Sequence, residues 1–160
     1  ILYYNGKGTG STGTLNLGAI TVPCGAWTLI VKDANLRLNG NISYASTCSD
    51  GKSYENNLPS LGIVVLNGNI DISESAKKLV GVYYTDQDFT GDERSAVNGE
   101  LEIDGSVYGN LQPLLDAANY VGPPTLDGGS LVIRYDSRIL LSTPPALSDY
   151  IDVRTEEAVN

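Results

Sequence analysis

Five times along this 160-residue chain an apolar residue is followed by Asn or Asp and then Gly. The sites are Tyr4-Asn5-Gly6, Leu38-Asn39-Gly40, Leu66-Asn67-Gly68, Val97-Asn98-Gly99 and Leu126-Asp127-Gly128. Their glycines lie 34, 28, 31 and 29 residues apart. Two copies extend identically as Leu-Asn-Gly-Asn-Ile, at 38–42 and 66–70, and a sixth triplet stands at Ile103-Asp104-Gly105. Self-similarity at a period of 20–50 residues is the signature of repeat architectures, in which each unit buries its apolar face against the next.

The residues around the triplets read as short strands. Trp27–Val31, Leu36–Leu38, Ile42–Tyr44, Ile63–Leu66, Ile70–Ile72, Leu101–Ile103 and Leu131–Ile133 are rich in β-branched and apolar residues, and period-two alternation follows the glycines. Asn-Gly between apolar runs is also a strong hairpin signal, but hairpins recur every 8–12 residues and these triplets recur near 30. The spacing therefore predicts an all-β chain folded as one β-solenoid domain over 1–160, of the right-handed β-helix type. It would have about five irregular coils, with Asn side chains hydrogen-bonded in a ladder at the corners. An antiparallel β-sandwich is the alternative. Helical signal is confined to 111–119, with Pro113 early and Asn119 near the end, and to a single turn over 74–79. Segments 45–60 and 84–96 are expected as excursion loops, and the Gly/Thr-rich start (1–14) and acidic tail (152–160) as weakly ordered.

The charge balance narrows the function. Nineteen acidic against ten basic residues leave a net charge of -9, which repels nucleic-acid backbones and anionic membrane surfaces. No apolar stretch is long enough to span a bilayer as a helix. The chain opens on Ile1 and holds no Met, as expected of a processed or excised piece whose signal peptide or anchor has been removed. Cys24 and Cys48 are its two cysteines, in surroundings rich in Gly, Asn, Ser, Thr and Tyr that look secreted. They are expected to form a disulfide, worth about 3 kcal/mol in the chain-entropy model, and an extracellular or cell-surface setting follows.

The grammar of apolar run, Asn-Gly and Asn-Ile-x-Ile resembles the β-helical surface regions of bacterial pilus-linked proteins of the PilX type. The likeness covers residues 27–147. It continues through Leu79-Val80-Gly81-Val82-Tyr83-Tyr84 and the turns at Asn98-Gly99 and Asp104-Gly105. It closes on Tyr135-Asp136-Ser137-Arg138, where Ser137 replaces the proline of the family's element, and on Thr143-Pro144-Pro145. The resemblance implies a solenoid displayed at the cell surface behind a pilin-like helix.

The chemistry available is limited. The chain has no His, which removes the usual general base and the commonest metal ligand. A carboxylate pair remains conceivable from Asp71 with Glu102 or Asp104, which follow equivalent glycines. The cluster Asp86-Gln87-Asp88-Phe89-Thr90-Gly91-Asp92-Glu93 resembles the first half of a calcium loop, making Asp86, Asp88, Asp92 and Glu93 candidate Ca2+ ligands. Ten tyrosines against one Phe and one Trp suit glycan or partner surfaces, with Tyr83 and Tyr84 as candidate ligand-binding residues on opposite faces of a strand. The expected function is therefore a non-enzymatic extracellular module of a pilus or appendage. It would present loops for adhesion to surface glycans or for assembly with other protein subunits. A carbohydrate-active β-helix enzyme and a self-assembling filament subunit are the competing readings.

Overall fold

The computed structural model describes residues 1–9, 13–48, 58–92, 100–117 and 131–147. The strands run in chain order: β1 (Leu2–Asn5), β2 (Thr14–Leu17), β3 (Ile20–Val22), β4 (Ala26–Lys32), β5 (Asn35–Leu38), β6 (Ile42–Tyr44), β7 (Ser60–Leu66), β8 (Ile70–Ile72), β9 (Lys78–Gly91), β10 (Leu101–Asn110) and β11 (Leu131–Arg134). Among the described residues two short helices complete the set, α1 (Gln112–Ala117) and α2 (Arg138–Leu141), with a 3-10 turn at Gly6–Thr9. The expected strands and the helix near 111–119 are present. The single turn expected over 74–79 is a tight bend in which Ala76 N–H donates to Ser73 C=O, before β9 begins.

Every pairing among the described residues is parallel, which overturns the antiparallel sandwich. The solenoid of about five coils is corrected as well. Nine strands form one curled, half-barrel sheet along the path β1-β4-β7-β9-β8-β5-β2, from which β10 and β11 branch, while β3 and β6 pair separately. The fourteen residues of β9 close the path. Val82–Thr85 pair with Gly62–Val65 of β7, and Phe89–Gly91 pair with Ile70–Ile72 of β8, so one strand joins the two flanks. The excursion loop expected over 84–96 is for that reason strand through Gly91, and 93–96 lie outside the described residues.

The triplets misled because they are not equivalent positions. Asn67-Gly68 follows β7 on one flank, Asn39-Gly40 follows β5 on the other, and Asp104-Gly105 lies inside β10, where Gly105 faces Gly81 of β9. The triplets at 97–99 and 126–128 fall outside the described residues. True neighbours across the sheet are Leu2, Leu29, Ile63, Tyr83 and Val107, whose chain separations run from 20 to 34 residues.

Side chains on the concave face of the sheet make the core. Val31, Ile63 and Val65 from one flank meet Leu36, Leu38, Ile70, Ile72 and Phe89 from the other, all essentially without solvent exposure. Burial on this scale is the main stabilising force, at about 25 cal/mol for each Å² of apolar surface removed from water. Cα neighbours at the turn positions approach closely: a Cβ on Gly68 would overlap the Ala34 carbonyl, whereas one on Gly18 would meet nothing within 4 Å. Gly68→Ala is therefore expected to destabilise the fold by about 2–3 kcal/mol in urea denaturation, because neither backbone can yield. Gly18→Ala serves as the contrast and should change stability by less than about 1 kcal/mol.

Candidate functional site

The turns at the edge of the core are held by carboxamide and carboxylate side chains standing side by side. Asn35 at the start of β5, Asn69 just before β8 and Asp88 of β9 stand side by side, with Asn110 beside Asp88. Asn69 N–H donates to Asn35 Oδ1 at 2.9 Å, and Asp88 N–H donates to Asn69 Oδ1 at 3.2 Å. Asn110 Nδ2 then donates to Asp88 Oδ1 at 2.8 Å. A second stack joins Asn67 Nδ2 to Asp33 Oδ1 at 2.9 Å, both residues having positive φ (57° and 55°). Asn and Asp tolerate this left-handed backbone better than other non-glycine residues. The Asn67 hydrogen bond, ahead of the Lys7 cation, holds the Asp33 carboxyl below its ordinary pKa.

This architecture disperses the candidate calcium ligands. Asp86 turns back to accept Asn67 N–H through both oxygens, at 2.9 and 3.1 Å. Asp88 belongs to the rank above, and Asp92 accepts from Arg37 Nη2 through both of its oxygens, at 3.0 and 2.8 Å. Glu93 lies outside the described residues. Among the described residues no three or more His, Cys, Asp or Glu side chains gather to hold a metal ion. The carboxylate pair is separated in the same way. Asp71, on β8, is bridged to Arg37 and accepts from Thr90 Oγ1 at 3.2 Å, while Glu102 and Asp104, on β10, bind Arg134 and Lys78. Asp92 and Asp71 together hold the Arg37 guanidinium above its ordinary pKa, as expected of a cation facing two anions.

Tyr83 and Tyr84 point to opposite faces of β9, as alternation requires. Tyr83 is buried in the core, its hydroxyl donating to Val80 C=O at 2.9 Å, and burial pushes its ionisation well above the ordinary range. Its buried ring is out of reach of a ligand at the surface. Tyr84 faces outward, and there it joins a rank that runs across five neighbouring strands: Tyr3, Ile30, Val64, Tyr84 and Tyr108. The segment after β11 crosses the same convex face. Leu147 and Pro144 pack on Gly62, Ile139 of α2 packs with Val82 and Leu147, and Thr28 Oγ1 donates to Pro145 C=O. Ser142 Oγ donates to Leu58 C=O at 3.1 Å and anchors the strap near β7.

A groove of about 280 Å³ opens between strap and rank. Ile30, Val64, Leu66 and Val82 form its floor, Tyr84 and Tyr108 line it beside them, and Ala146 and Leu147 belong to the strap. None of these side chains carries a formal charge, and the two tyrosine hydroxyls are the only side-chain polar groups among them. Of these residues the sequence reading singled out only Tyr84. The signal for the rest was present: Trp27–Val31, Ile63–Leu66 and Val80–Tyr84 are nearly continuous apolar runs, which belong to strands covered on both faces.

Cys24 and Cys48 are joined in a disulfide with Cα atoms 5.7 Å apart, as expected. Among the described residues no helix is long and apolar enough to cross a membrane. No protein-family model matches the chain, and neither a curated protein nor a solved structure matches it.

Two outcomes follow from these surroundings. Reducing the Cys24–Cys48 bond should lower unfolding stability by about 3 kcal/mol, read as a shift in urea midpoint with and without reductant. Burial, reinforced by the Asp136 charge, pushes the Tyr44 hydroxyl up to about 12. The unfolded chain releases this proton near the ordinary value of 10 while the folded chain retains it, so stability is intact below pH 10 and falls progressively toward pH 12. Tyr44→Phe should flatten that alkaline loss in melting temperature measured against pH.

Proposed function

We propose that the protein is a non-enzymatic binding module of an extracellular surface or appendage, and that its convex groove takes uncharged, apolar side chains of another protein subunit. The observation that carries this reading is the groove itself, an apolar concavity floored by three neighbouring strands and bordered by tyrosines and a packed strap. Pockets of this kind, mostly apolar with a few placed polar groups, are the usual form of binding sites. A partner entering a lining without formal charge must leave its own charges outside, since an unpaired buried charge costs several kcal/mol. A glycan fits less well, because its many hydroxyls would find two side-chain hydroxyls as partners.

The acids support the non-enzymatic part of the reading. Asp71 faces Arg37, Glu102 faces Arg134 and Lys78, and the two carboxylates stand on different strands of different flanks. A disulfide supports the extracellular setting, since such bonds persist in oxidising compartments.

Titration with Nile red, a neutral apolar dye, should show one site per chain, and peptides carrying Leu and Ile side chains should displace it. Tyr84→Ala should weaken dye binding about tenfold, a loss on the scale of one buried aromatic contact. Cellohexaose and chitohexaose should give no binding heat. Sugar binding abolished by Tyr84→Ala would replace the protein subunit with a glycan, and binding of neither class would remove the groove as a site.

A further inference from the structure

Two ranks of outward positions run side by side across the sheet, and the strap covers one of them. Thr28, Gly62 and Val82 are register partners on β4, β7 and β9. The strap lies over this rank: Pro145 C=O accepts from Thr28 Oγ1, Pro144 and Leu147 pack on Gly62, and Leu147 packs with Val82. Two residues further along each strand stands the second rank, Ile30, Val64 and Tyr84, continued by Tyr108 of β10. All four of these side chains line the groove, and Ala146 and Leu147 of the strap form its wall.

We infer that the groove binds a proline-rich segment of the partner subunit, laid across the strands beside the strap as a polyproline II helix. The inference rests on the groove being the protein's binding site and names the partner's chemistry there. The strap shows what this face accepts: consecutive prolines lie over the first rank, and a hydroxyl donates to the carbonyl of one of them. The second rank repeats that provision, since the hydroxyls of Tyr84 and Tyr108 are the side-chain polar groups of the groove. Proline has no N–H, so a proline chain rests on an apolar floor without bringing a donor that must be paired, whereas every other residue brings one. Spacing favours the same occupant. Neighbouring strands lie about 4.8 Å apart, so every second position of the rank recurs at about 9.6 Å. A polyproline II helix presents the same edge every three residues, or about 9.3 Å. Rings three residues apart therefore meet Ile30 and Tyr84, or Val64 and Tyr108, in step. An extended β-strand returns the same face every two residues, at about 6.7 Å, and falls out of step with the rank at once. Grooves lined by aromatic rings suit such helices, because the helix is preformed and loses little entropy on docking.

Displacement of bound Nile red by two twelve-residue peptides tests it, one built of Pro-Leu-Pro repeats and the other carrying alanine at every proline. The proline peptide should displace the dye at about a tenth of the concentration that the alanine peptide needs. Tyr108→Ala, at a position 52% exposed, should weaken the proline peptide about tenfold. Tyr84→Phe combined with Tyr108→Phe should weaken it about fivefold and leave dye affinity unchanged, because the rings stay and the hydroxyls go. The phenylalanine pair decides should Tyr108→Ala alter the far-UV circular dichroism. Leu141→Ser, on a strap residue 71% exposed, should change neither ligand. Equal displacement by the two peptides, or stronger displacement by the alanine peptide, overturns the proline assignment and leaves the groove reading standing. A proline peptide that binds without regard to Tyr84 and Tyr108 overturns it too, by placing its site elsewhere. Failure of the unaltered chain to bind the dye removes the groove as a site, and this inference with it.

Discussion

The fold depends on satisfying backbone groups where short parallel strands leave the sheet. A parallel ladder supplies its hydrogen bonds only while neighbouring strands run together, and the turns between them would otherwise leave donors stranded beside the core. Here the side-chain oxygens of Asn35 and Asn69 accept the N–H of the residue beside them on the next strand, while Asn41 accepts from both Lys77 and Lys78. Each such bond is worth about 1 kcal/mol net, but leaving the buried donor unpaired would cost more. Asn is suited to this duty because its short carboxamide both donates and accepts, so that one residue can link to neighbours on either side.

Once the turns are satisfied, the two faces of the sheet divide the remaining work. The concave face holds the aliphatic core and two buried aromatic side chains, Tyr83 and Phe89. The convex face is paved in part by the strap, which fits because Gly62 leaves room for Leu147 and Pro144. Where the strap stops, the same apolar pavement stays open and becomes the groove. Charged residues on the outside are consumed in pairs, as with Arg37 between Asp71 and Asp92 or Lys78 between Glu102 and Asp104. Such partly exposed pairs contribute modestly to stability.

Much of the local structure was legible from residue patterns. The alternation at Ile70–Ile72 and Leu101–Ile103, the helix behind Pro113 and the disulfide all appear where period, capping and composition place them. The opposed faces of Tyr83 and Tyr84 follow from β geometry alone. The acidic run 86–93 shows where such reading fails. Its spacing suits a calcium loop only if the chain coils on itself, whereas an extended strand spaces its residues about 3.3 Å apart along its length and does not wrap the acids around one point. Asp86 and Asp88 then meet different turns, and Asp92 meets Arg37, a residue distant in sequence.

By itself the sequence determined an all-β chain of short strands punctuated by Asn-Gly turns, joined by one disulfide and lacking the histidine that common catalytic sites use. These properties follow from steric preference, side-chain period and composition, which act over a few residues. The tertiary structure alone decided which strands are neighbours, because pairing register depends on contacts between residues 19 to 34 apart that no local period encodes. Two identical pentapeptides, 38–42 and 66–70, make different connections for that reason, one leading from β5 to β6 and the other from β7 to β8. The curled path through β9 and the groove beside the strap are likewise products of long-range packing, which selects one arrangement from several that the same turns permit.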